Sequence, residues 1–351
     1  MSKLSTDPYK GVRDFYPEDQ FIQNYIFGVW KKTVENSGYE QYDASLLEPS
    51  EIYKEKSGDE IVNEQTFTFI DRGGREVTLR PEMTPTVARM VAARKRELGY
   101  PLRWYSIPNL FRYEAPQRGR LREHWQLNVD IFGIKTVEAD IEIVALAYNI
   151  MKNFGAKDED FEIRLNTHST QEVLDQVITG LKYTGITNVR VDETIKSGQA
   201  YYTGIVFEIF DTDPTNSRSL FGGGRYDDLL DLFSNDQVCG VGFGAGDTSL
   251  RGFLETHGLL PKYRPATRLF LVLRGGDTIE SIVDFYKLAN LVKDAGVNIA
   301  TDGSMRDAGD MYKVAEKLHI PYISFVESAE DKIVIKNMET REEKRFDKTD
   351  I

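Results

Sequence analysis

The spacing of apolar residues over the first 260 positions predicts a few long helices among groups of short strands. Apolar residues three and four positions apart predict helices over 17–37, 84–98 and 137–154. Strands are predicted over 66–70, 77–80, 104–107, 109–112, 161–165, 201–210 and 239–246. Runs of strands with a few long helices indicate an α+β fold, in which helices flank an antiparallel sheet.

Beyond residue 268, strands and helices alternate one by one, which is typical of a small α/β domain. Strands are predicted over 269–273, 297–301 and 321–326, helices over 278–295 and 306–318, and a final hairpin from residue 332. The segment 261–267 holds Pro261 and Pro265 and predicts a linker. We therefore predict a core over residues 1–260, the linker over 261–267 and an α/β domain over 268–351.

The charge balance limits the partners that the chain can have. Its 351 residues include 56 Asp and Glu against 44 Lys and Arg, which gives a net charge of −12. A protein this acidic does not bind nucleic acid indiscriminately, so an RNA partner would need a local basic face.

The single cysteine and the short apolar runs indicate the cellular compartment of the protein. The single Cys239 excludes an internal disulfide and predicts a reducing compartment. The four histidines and this cysteine are not spaced as metal ligands, so we expect no structural zinc site. No apolar run is long enough to span a membrane, and residues 1–19 lack an apolar signal core. We predict a cytoplasmic protein with no membrane partner.

The strongest candidate site is the segment 111–133, an arginine-rich loop between two predicted strands. Its charged residues are Arg112, Glu114, Arg118, Arg120, Arg122, Glu123 and Asp130. Arginine forks match the geometry of phosphate groups, and neighbouring acids can hold an amine or orient the arginines. The segment therefore suits a polyphosphate together with an amino group. The alternative interpretation is a solvated hairpin tip.

Two motifs near predicted element ends are weaker signals when taken alone. Glu82 and Thr84 stand just before a helix, where a carboxylate can bind an ammonium group or simply cap the helix. Tyr201 and Tyr202 stand on a predicted strand, where their rings are as often part of the core as they are ligand contacts.

Two glycine-rich runs indicate places where the backbone can approach a ligand closely. Glycines 222–224 precede Arg225 and Tyr226, and the alternative there is a flexible turn. Glycine alternates with other residues over 240–246, as in a strand with one bare face that suits a flat ring. The spacing is not that of a dinucleotide-binding fingerprint.

In this order, the motifs resemble the histidyl-tRNA synthetase family of class II aminoacyl-tRNA synthetases, nearly end to end. Residues 10–15 look like the opening of the family, and the helix and turn up to Pro49 look like motif 1, which builds the dimer interface. Residues 111–126 look like motif 2. Residues 222–227 and the glycine alternation before Leu250 look like the second signature and motif 3. Residues 268–351 look like the anticodon-binding domain, most closely over 313–322.

The resemblance implies a role for each candidate residue. Arg112 would bind the α-phosphate of ATP, with Glu114 and Arg120 beside the nucleotide. The amino group of the histidine substrate would be held and flanked by Glu82, Thr84, Gln126 and Asp130. The imidazole would contact Tyr202 and Tyr226. The acceptor end of tRNA would face Gln117 and Arg118.

The chain departs from the family pattern at three places. Ser197 stands where the family has an arginine close to the α-phosphate, and Ser249 replaces the arginine of motif 3 that binds ATP. Arg251 follows two residues later, which on a helix points it away from the face of position 249. The segment 166–192 is too short for the helical insertion with which family members clamp the acceptor stem.

The resemblance implies a homodimeric histidine–tRNA ligase that uses ATP, with Mg²⁺, to activate histidine and then charges tRNA(His). Because fixed arginines stabilise the charge that builds up on phosphorus, the two replacements predict impaired activation. The alternative is a non-catalytic paralogue that senses histidine or regulates a partner. One such relative is the regulatory subunit of ATP phosphoribosyltransferase, which usually lacks the C-terminal domain that this chain retains.

Overall fold

The computed structural model describes residues 4–54, 65–117, 119–195, 201–233, 238–275, 278–304, 306–327 and 332–347. The chain divides into two compact units: Met1–Asp14 with Ile22–Pro261, and Phe15–Phe21 with Lys262–Ile351. In the described part of the chain no helix is long and apolar enough to cross a membrane. The boundaries 1–260, 261–267 and 268–351 stay predictions.

The helices up to residue 261 are α1 Pro17–Asn36, α2 Glu51–Lys54, α3 Thr84–Arg94, α4 Val137–Asn153, α5 Gln171–Tyr183 and α6 Asp247–Thr256. The strands are β1 Glu40–Gln41, β2 Leu47–Pro49, β3 Phe67–Ile70, β4 Glu76–Leu79, β5 Leu102–Ser106, β6 Asn109–Phe111, β7 Glu123–Phe132, β8 Phe161–Thr167, β9 Val189–Val191, β10 Ile205–Asp211, β11 Ser219–Arg225 and β12 Gly240–Gly246. The predicted antiparallel sheet with flanking helices is confirmed.

The large sheet has the strand order β1-β5-β7-β12-β11-β10-β8-β9, and β6 pairs with β7 beside this path. All pairs from β5 to β8 are antiparallel, whereas the two edge pairs, β1 with β5 and β9 with β8, are parallel. Strands β2, β4 and β3 form a separate small sheet. Helix α4 packs against the large sheet through a buried apolar stripe that includes Ile143, Val144, Ala147 and Ile150.

Several sequence predictions differ from the structure. Helix α3 ends at Arg94 instead of residue 98, and strand β10 begins at Ile205 instead of residue 201. Helix α5 was missed. Thr170 caps its N-terminus by accepting a hydrogen bond from Val173 N, and a sparse apolar stripe turns it toward the core.

The second unit is the predicted α/β domain. Its strands are β13 Leu269–Arg274, β14 Ile299–Asp302, β15 Tyr322–Glu327, β16 Lys332–Asn337 and β17 Glu343–Asp347, in the order β14-β13-β15-β16-β17. Its helices are α7 Ile279–Asp294 and α8 Ala308–Lys317. Strand β13 is parallel to both neighbours and has an apolar cluster on each face, as expected when helices cover both sides of a sheet.

Candidate active site

Two adjoining cavities open over the central strands β7, β10, β11 and β12. The smaller has a volume of about 260 Å³ and the larger about 950 Å³. Both cavities are lined by Arg112, Gln126, Glu208 and Gly244. Two ligands bound side by side would therefore meet at this shared wall.

The structure gathers most of the predicted site residues on these walls. The smaller cavity is lined by Glu82, Thr84, Arg112, Gln126, Tyr202 and Tyr226. The larger cavity is lined by Arg112, Glu114, Gln117, Arg120 and Gln126. Arg118 lies outside the described residues, and Asp130 is on neither wall.

Glycines on β12 make room for polar side chains of the neighbouring strand β7. A Cβ atom at Gly244 would lie 2.3 Å from Gln126 Nε2, and one at Gly242 would lie 2.6 Å from Asp130 Oδ1. An alanine at position 244 would require Gln126 to move, and one at position 242 would also lie 2.4 Å from the backbone carbonyl oxygen of Val129. Side chains of β7 therefore fill the space over the glycines of β12, the strand face that the sequence predicts to be bare. One of these side chains, Gln126, lines both cavities.

The smaller cavity contains a buried carboxylate at the start of helix α3. Glu82 is only 4% exposed, and the Tyr201 hydroxyl donates a hydrogen bond of 3.1 Å to its Oε2 atom. Burial raises the pKa of Tyr201, so its hydroxyl remains a donor. A buried carboxylate next to Thr84 is suited to bind an ammonium group, because the charge-assisted hydrogen bond replaces the lost hydration.

Asp130 lies one layer behind the cavity wall, where the Tyr226 hydroxyl donates to its Oδ1 atom. Its Oδ2 atom is buried without a hydrogen-bond partner among the described residues. Burial raises the pKa of Asp130 to about 7 although the hydrogen bond from Tyr226 opposes the shift. When Asp130 is ionised, the Tyr226 hydroxyl donates its hydrogen bond to the carboxylate. The phenol oxygen can then accept a hydrogen bond from an N–H group of a ligand.

Replacing Asp130 by asparagine is expected to flatten the pH dependence of stability. Because the folded-state pKa is raised, the folded protein binds more protons than the unfolded chain between about pH 3.8 and 7. Stability therefore falls as the pH rises through that window. Between pH 5 and pH 8, the free energy of urea unfolding of the wild type should fall by about 2.5 kcal/mol relative to that of Asp130→Asn. A difference that is the same at both pH values would contradict this assignment.

The larger cavity has a cationic wall on the arginine-rich loop between β6 and β7. Arg112 Nε donates to the Pro81 carbonyl at 2.9 Å, which fixes the guanidinium at the boundary between the cavities. Arg120 Nη1 lies 3.3 Å from Glu114 Oε2. Within the described residues there is no cluster of three or more His, Cys, Asp or Glu that could hold a metal ion by itself.

His124 also lines the larger cavity, and the sequence interpretation missed it. Burial and the neighbouring Arg112 lower its pKa to about 4, so the imidazole is neutral at pH 7. A neutral imidazole offers one donor and one acceptor on a flat ring. The signal in the sequence was a histidine two residues after Arg122, which in an arginine-rich segment looks like one more solvated polar residue.

The N-terminal segment contacts the end of the arginine-rich loop between β6 and β7. Arg122 N donates to the Gly11 carbonyl at 2.7 Å, and Arg122 Nη1 donates to the Tyr9 hydroxyl at 2.9 Å. The guanidinium carbon of Arg122 lies 3.8 Å from the centroid of the Tyr113 ring. These contacts hold the end of the loop where β7 begins, so Arg122 is a positioning residue and not a ligand contact.

Replacing Gly11 by alanine is expected to destabilise the protein more than the same change at Gly38. Both glycines have positive φ, but a Cβ atom at Gly11 would lie 2.8 Å from Arg122 Cγ, whereas nothing lies within 4 Å at Gly38. Overpacking adds about 1–3 kcal/mol to the backbone cost that the two sites share. Urea unfolding of both variants measures the difference. Equal losses would show that the contact with Arg122 contributes nothing.

Comparison with known proteins identifies the family that has this arrangement. A sequence profile of the family described as Histidyl-tRNA synthetase matches residues 11–170 and 164–248. The histidine–tRNA ligase of Leptospira biflexa is 41% identical to the chain, over 77% of the chain and 79% of the ligase. That of Opitutus terrae is 33% identical over 87% of each. The chain belongs to the histidyl-tRNA synthetase family.

Solved structures agree with this membership. The apo histidyl-tRNA synthetase of S. aureus matches with a TM-score of 0.84 and 26% identity, over 99% of this chain and 97% of that one. A protein of Bacillus halodurans C, described as an ATP phosphoribosyltransferase regulatory subunit/histidyl-tRNA synthetase, shares the fold with a TM-score of 0.75. It is 20% identical, over 93% of this chain and 100% of that one.

Ser249, at which the resemblance implies an arginine, lies within the described residues. Ser249 lies in the first turn of α6 on the wall of the larger cavity, and its Oγ atom donates to the Leu220 carbonyl at 2.6 Å. Arg251 lines neither cavity, and its Nε atom donates to Glu255 at 2.9 Å. Ser197 lies outside the described residues. The side chain at 249 is therefore turned to the backbone of β11.

Proposed function

We propose that the chain binds histidine in the smaller cavity and ATP in the larger one, joins them as histidyl-adenylate and transfers the histidyl group to tRNA(His). The observation that carries the proposal is that Arg112 lines both cavities. A carboxylate entering from the smaller cavity and an α-phosphate entering from the larger one would meet at its guanidinium. A cytoplasmic location, where tRNA is charged, accompanies this proposal.

Activation would proceed by displacement at the α-phosphorus. A carboxylate oxygen of histidine forms a bond to phosphorus while the bond to the pyrophosphate oxygen breaks, and the electron pair leaves with pyrophosphate. The carboxylate is already ionised at pH 7, so no general base is needed. The contribution of the protein is to position the two reactants and to stabilise the charge on the phosphoryl oxygens, here by Arg112. In the second step a terminal hydroxyl of tRNA replaces AMP.

The smaller cavity supports recognition of histidine. Glu82, Thr84 and Gln126 would hold the ammonium group, since carboxylate and carbonyl oxygens accept its hydrogen bonds. Tyr202 and Tyr226 would face the imidazole, and Asp130 would set the direction of the Tyr226 hydroxyl.

The larger cavity supports binding of a nucleotide with its metal ion. Mg²⁺ is usually held by one or two carboxylates together with substrate phosphates. Glu114 and Glu208 line this cavity and fit that requirement. When bound, the ion would neutralise phosphate charge, and Arg120 would add a cation next to Glu114. Gln117 would face the acceptor end of tRNA, as would Arg118. We also propose that the tRNA is held without the helical insertion.

We expect this chain to activate histidine more slowly than is usual for members of its family. Loss of one electrostatic group that stabilises a transition state typically lowers the rate by about 10²–10³. The chain has serine at both position 197 and position 249, although coupled groups do not combine simply.

A second candidate function is a histidine-sensing paralogue without ligase activity. The hydrogen bond from Ser249 to the Leu220 carbonyl favours it, because this hydroxyl is already committed to the backbone and a serine brings no positive charge to the larger cavity. The histidine-binding wall would then serve to report the concentration of histidine to a partner.

Calorimetric titrations with histidine, with ATP and with both together test the proposal. We expect histidine to bind with a stoichiometry of one per chain, and ATP to bind independently of tRNA. Histidine binding without any ATP binding would support the sensing paralogue. Failure of both ligands to bind would overturn both candidates.

We further propose that the chain forms a homodimer through the motif 1 region, up to Pro49, and that the interface includes the small sheet β2-β4-β3, to which Leu47–Pro49 contributes β2. In the register of the small sheet, Val77 pairs with Pro49 on one side and with Phe69 on the other, so these three side chains lie on one face. Leu47, two residues before Pro49 on β2, lies on the same face. Leu47 is 43% exposed and Phe69 is 47% exposed. The opposite face carries polar side chains such as Thr78, which is buried. An apolar sheet face of this kind is suited to a second copy of the chain.

Replacing Phe69 by glutamate is expected to convert the dimer to a monomer. Light scattering at micromolar concentration should give twice 40.1 kDa for the wild type and 40.1 kDa for the variant. Tyr183→Glu is the matched control, since Tyr183 is an exposed aromatic residue on α5, outside the small sheet. A monomeric wild type, or a dimeric Phe69→Glu, would sink the proposed interface.

A further inference from the structure

Arg218 is a cation of the larger cavity that the family pattern does not assign. It lies between the short turn Pro214–Asn216 and strand β11, and it lines the cavity wall. Its side chain is exposed, and its Nη2 atom donates to Gln117 Oε1 at 3.2 Å. Within the described residues it forms no ion pair, so its charge is not neutralised by a carboxylate.

Arg218 lies on the same cavity wall as Ser249, the position at which the family has an arginine. Ser249 is bonded to the Leu220 carbonyl, and Arg218 precedes Leu220 by two residues. Arg218, Leu220 and Ser249 all line the larger cavity. The other nearby arginine, Arg251, pairs with Glu255 and lines neither cavity.

The remaining arginines of the wall have other partners. Arg112 is fixed by the Pro81 carbonyl at the boundary with the smaller cavity, and Arg120 lies against Glu114. A polyphosphate that extends away from Arg112 would thus meet Arg218 as a cation with only a neutral amide partner. Phosphate oxygens are better acceptors than an amide for a guanidinium, because the hydrogen bonds become charge-assisted.

We propose that Arg218 binds the polyphosphate of ATP and supplies the positive charge that is lost with the arginine replaced by Ser249. This inference rests on the proposed function in one respect, since it takes ATP as the occupant of the larger cavity. On binding, the guanidinium releases Gln117 and turns to the phosphate oxygens.

The test is calorimetric titration of the full chain with ATP and, separately, with inorganic tripolyphosphate. Arg218→Gln should weaken the binding of both ligands about tenfold or more, whereas Arg345→Gln, an exposed arginine on β17, should leave both unchanged. Ser249→Arg should bind more tightly than wild type. The double variant Arg218→Gln with Ser249→Arg should stay within about threefold of Ser249→Arg alone.

The rescue separates a role in charge from a role in holding the loop. If Arg218 acted only by holding Gln117, an arginine at position 249 would not restore binding. Because Arg218 is exposed, Arg218→Gln should melt at the wild-type temperature, and Arg218→Lys should retain part of the affinity.

Two results would overturn the inference in different ways. Equal ATP affinities of wild type and Arg218→Gln would refute the role of Arg218 and leave the proposed function intact. Absence of ATP binding by the wild type would refute both. Conversely, ATP binding that depends on Arg218 but is not followed by histidine activation would refute the enzyme and leave the role of Arg218 standing.

Discussion

Arg112→Gln is expected to lower the rate of histidine-dependent pyrophosphate exchange by about 10²–10³, the typical loss for removal of one preorganised charge from a transition state. Arg112 is one of the residues that line both cavities, and its Nε atom donates a hydrogen bond of 2.9 Å to the Pro81 carbonyl. Its charge is therefore in place before the reaction, with no reorganisation needed as negative charge develops. Glutamine keeps a polar side chain there but removes the cation.

Arg94→Gln is the control for the general loss of an arginine. Arg94 is exposed at the end of helix α3 and pairs with Glu97, so its replacement should leave exchange unchanged. Histidine titration of the Arg112 variant tests whether its cavity is still formed. An exchange rate of Arg112→Gln within threefold of wild type would contradict the assignment of the α-phosphate to Arg112.

Glu82→Gln is expected to weaken histidine binding by about 10- to 100-fold, which calorimetric titration would measure. A hydrogen bond to a charged group contributes about 1.5–3 kcal/mol, and 1.4 kcal/mol corresponds to a tenfold change in affinity. The variant keeps the size of the side chain and can keep the contact with Tyr201. It loses the charge that would balance the ammonium group of the ligand.

Glu48→Gln provides the matched control because Glu48 is equally buried, at 4% exposed, and lies outside both cavities. Glu48 pairs with Arg89 at 2.7 Å, so its replacement should lower stability without changing the affinity for histidine. Equal affinities of Glu82→Gln and wild type for histidine would show that the ammonium group of histidine does not bind at Glu82.

The sequence predicted the fold well where an element is long and its period is unbroken. Helices α1 and α4 and strand β12 lie close to their predicted ranges. Prediction failed where local chemistry decided the boundary. Strand β10 begins at Ile205, because Tyr201 and Tyr202 turn into the smaller cavity instead of continuing the ladder.

Site residues that belong to a recognised motif could be predicted from the sequence. Residues that reach the site only through tertiary packing could not. Glu82 and Arg112 are separated by 30 positions in the chain, yet they line one cavity. Periodicity alone could not place Asp130 behind Tyr226, since that arrangement depends on the missing side chain at Gly242. Arg218 stands outside the recognised motifs, and only the folded chain brings it to the larger cavity.

The measurement that decides between an enzyme and a sensor is ATP–pyrophosphate exchange on the purified full-length chain, with and without histidine. We predict exchange that depends on histidine, is slow, and falls further in Arg112→Gln. Exchange no faster than that of Arg112→Gln, in a protein that binds both histidine and ATP, would contradict histidine activation and would leave the chain as a non-catalytic member of its family.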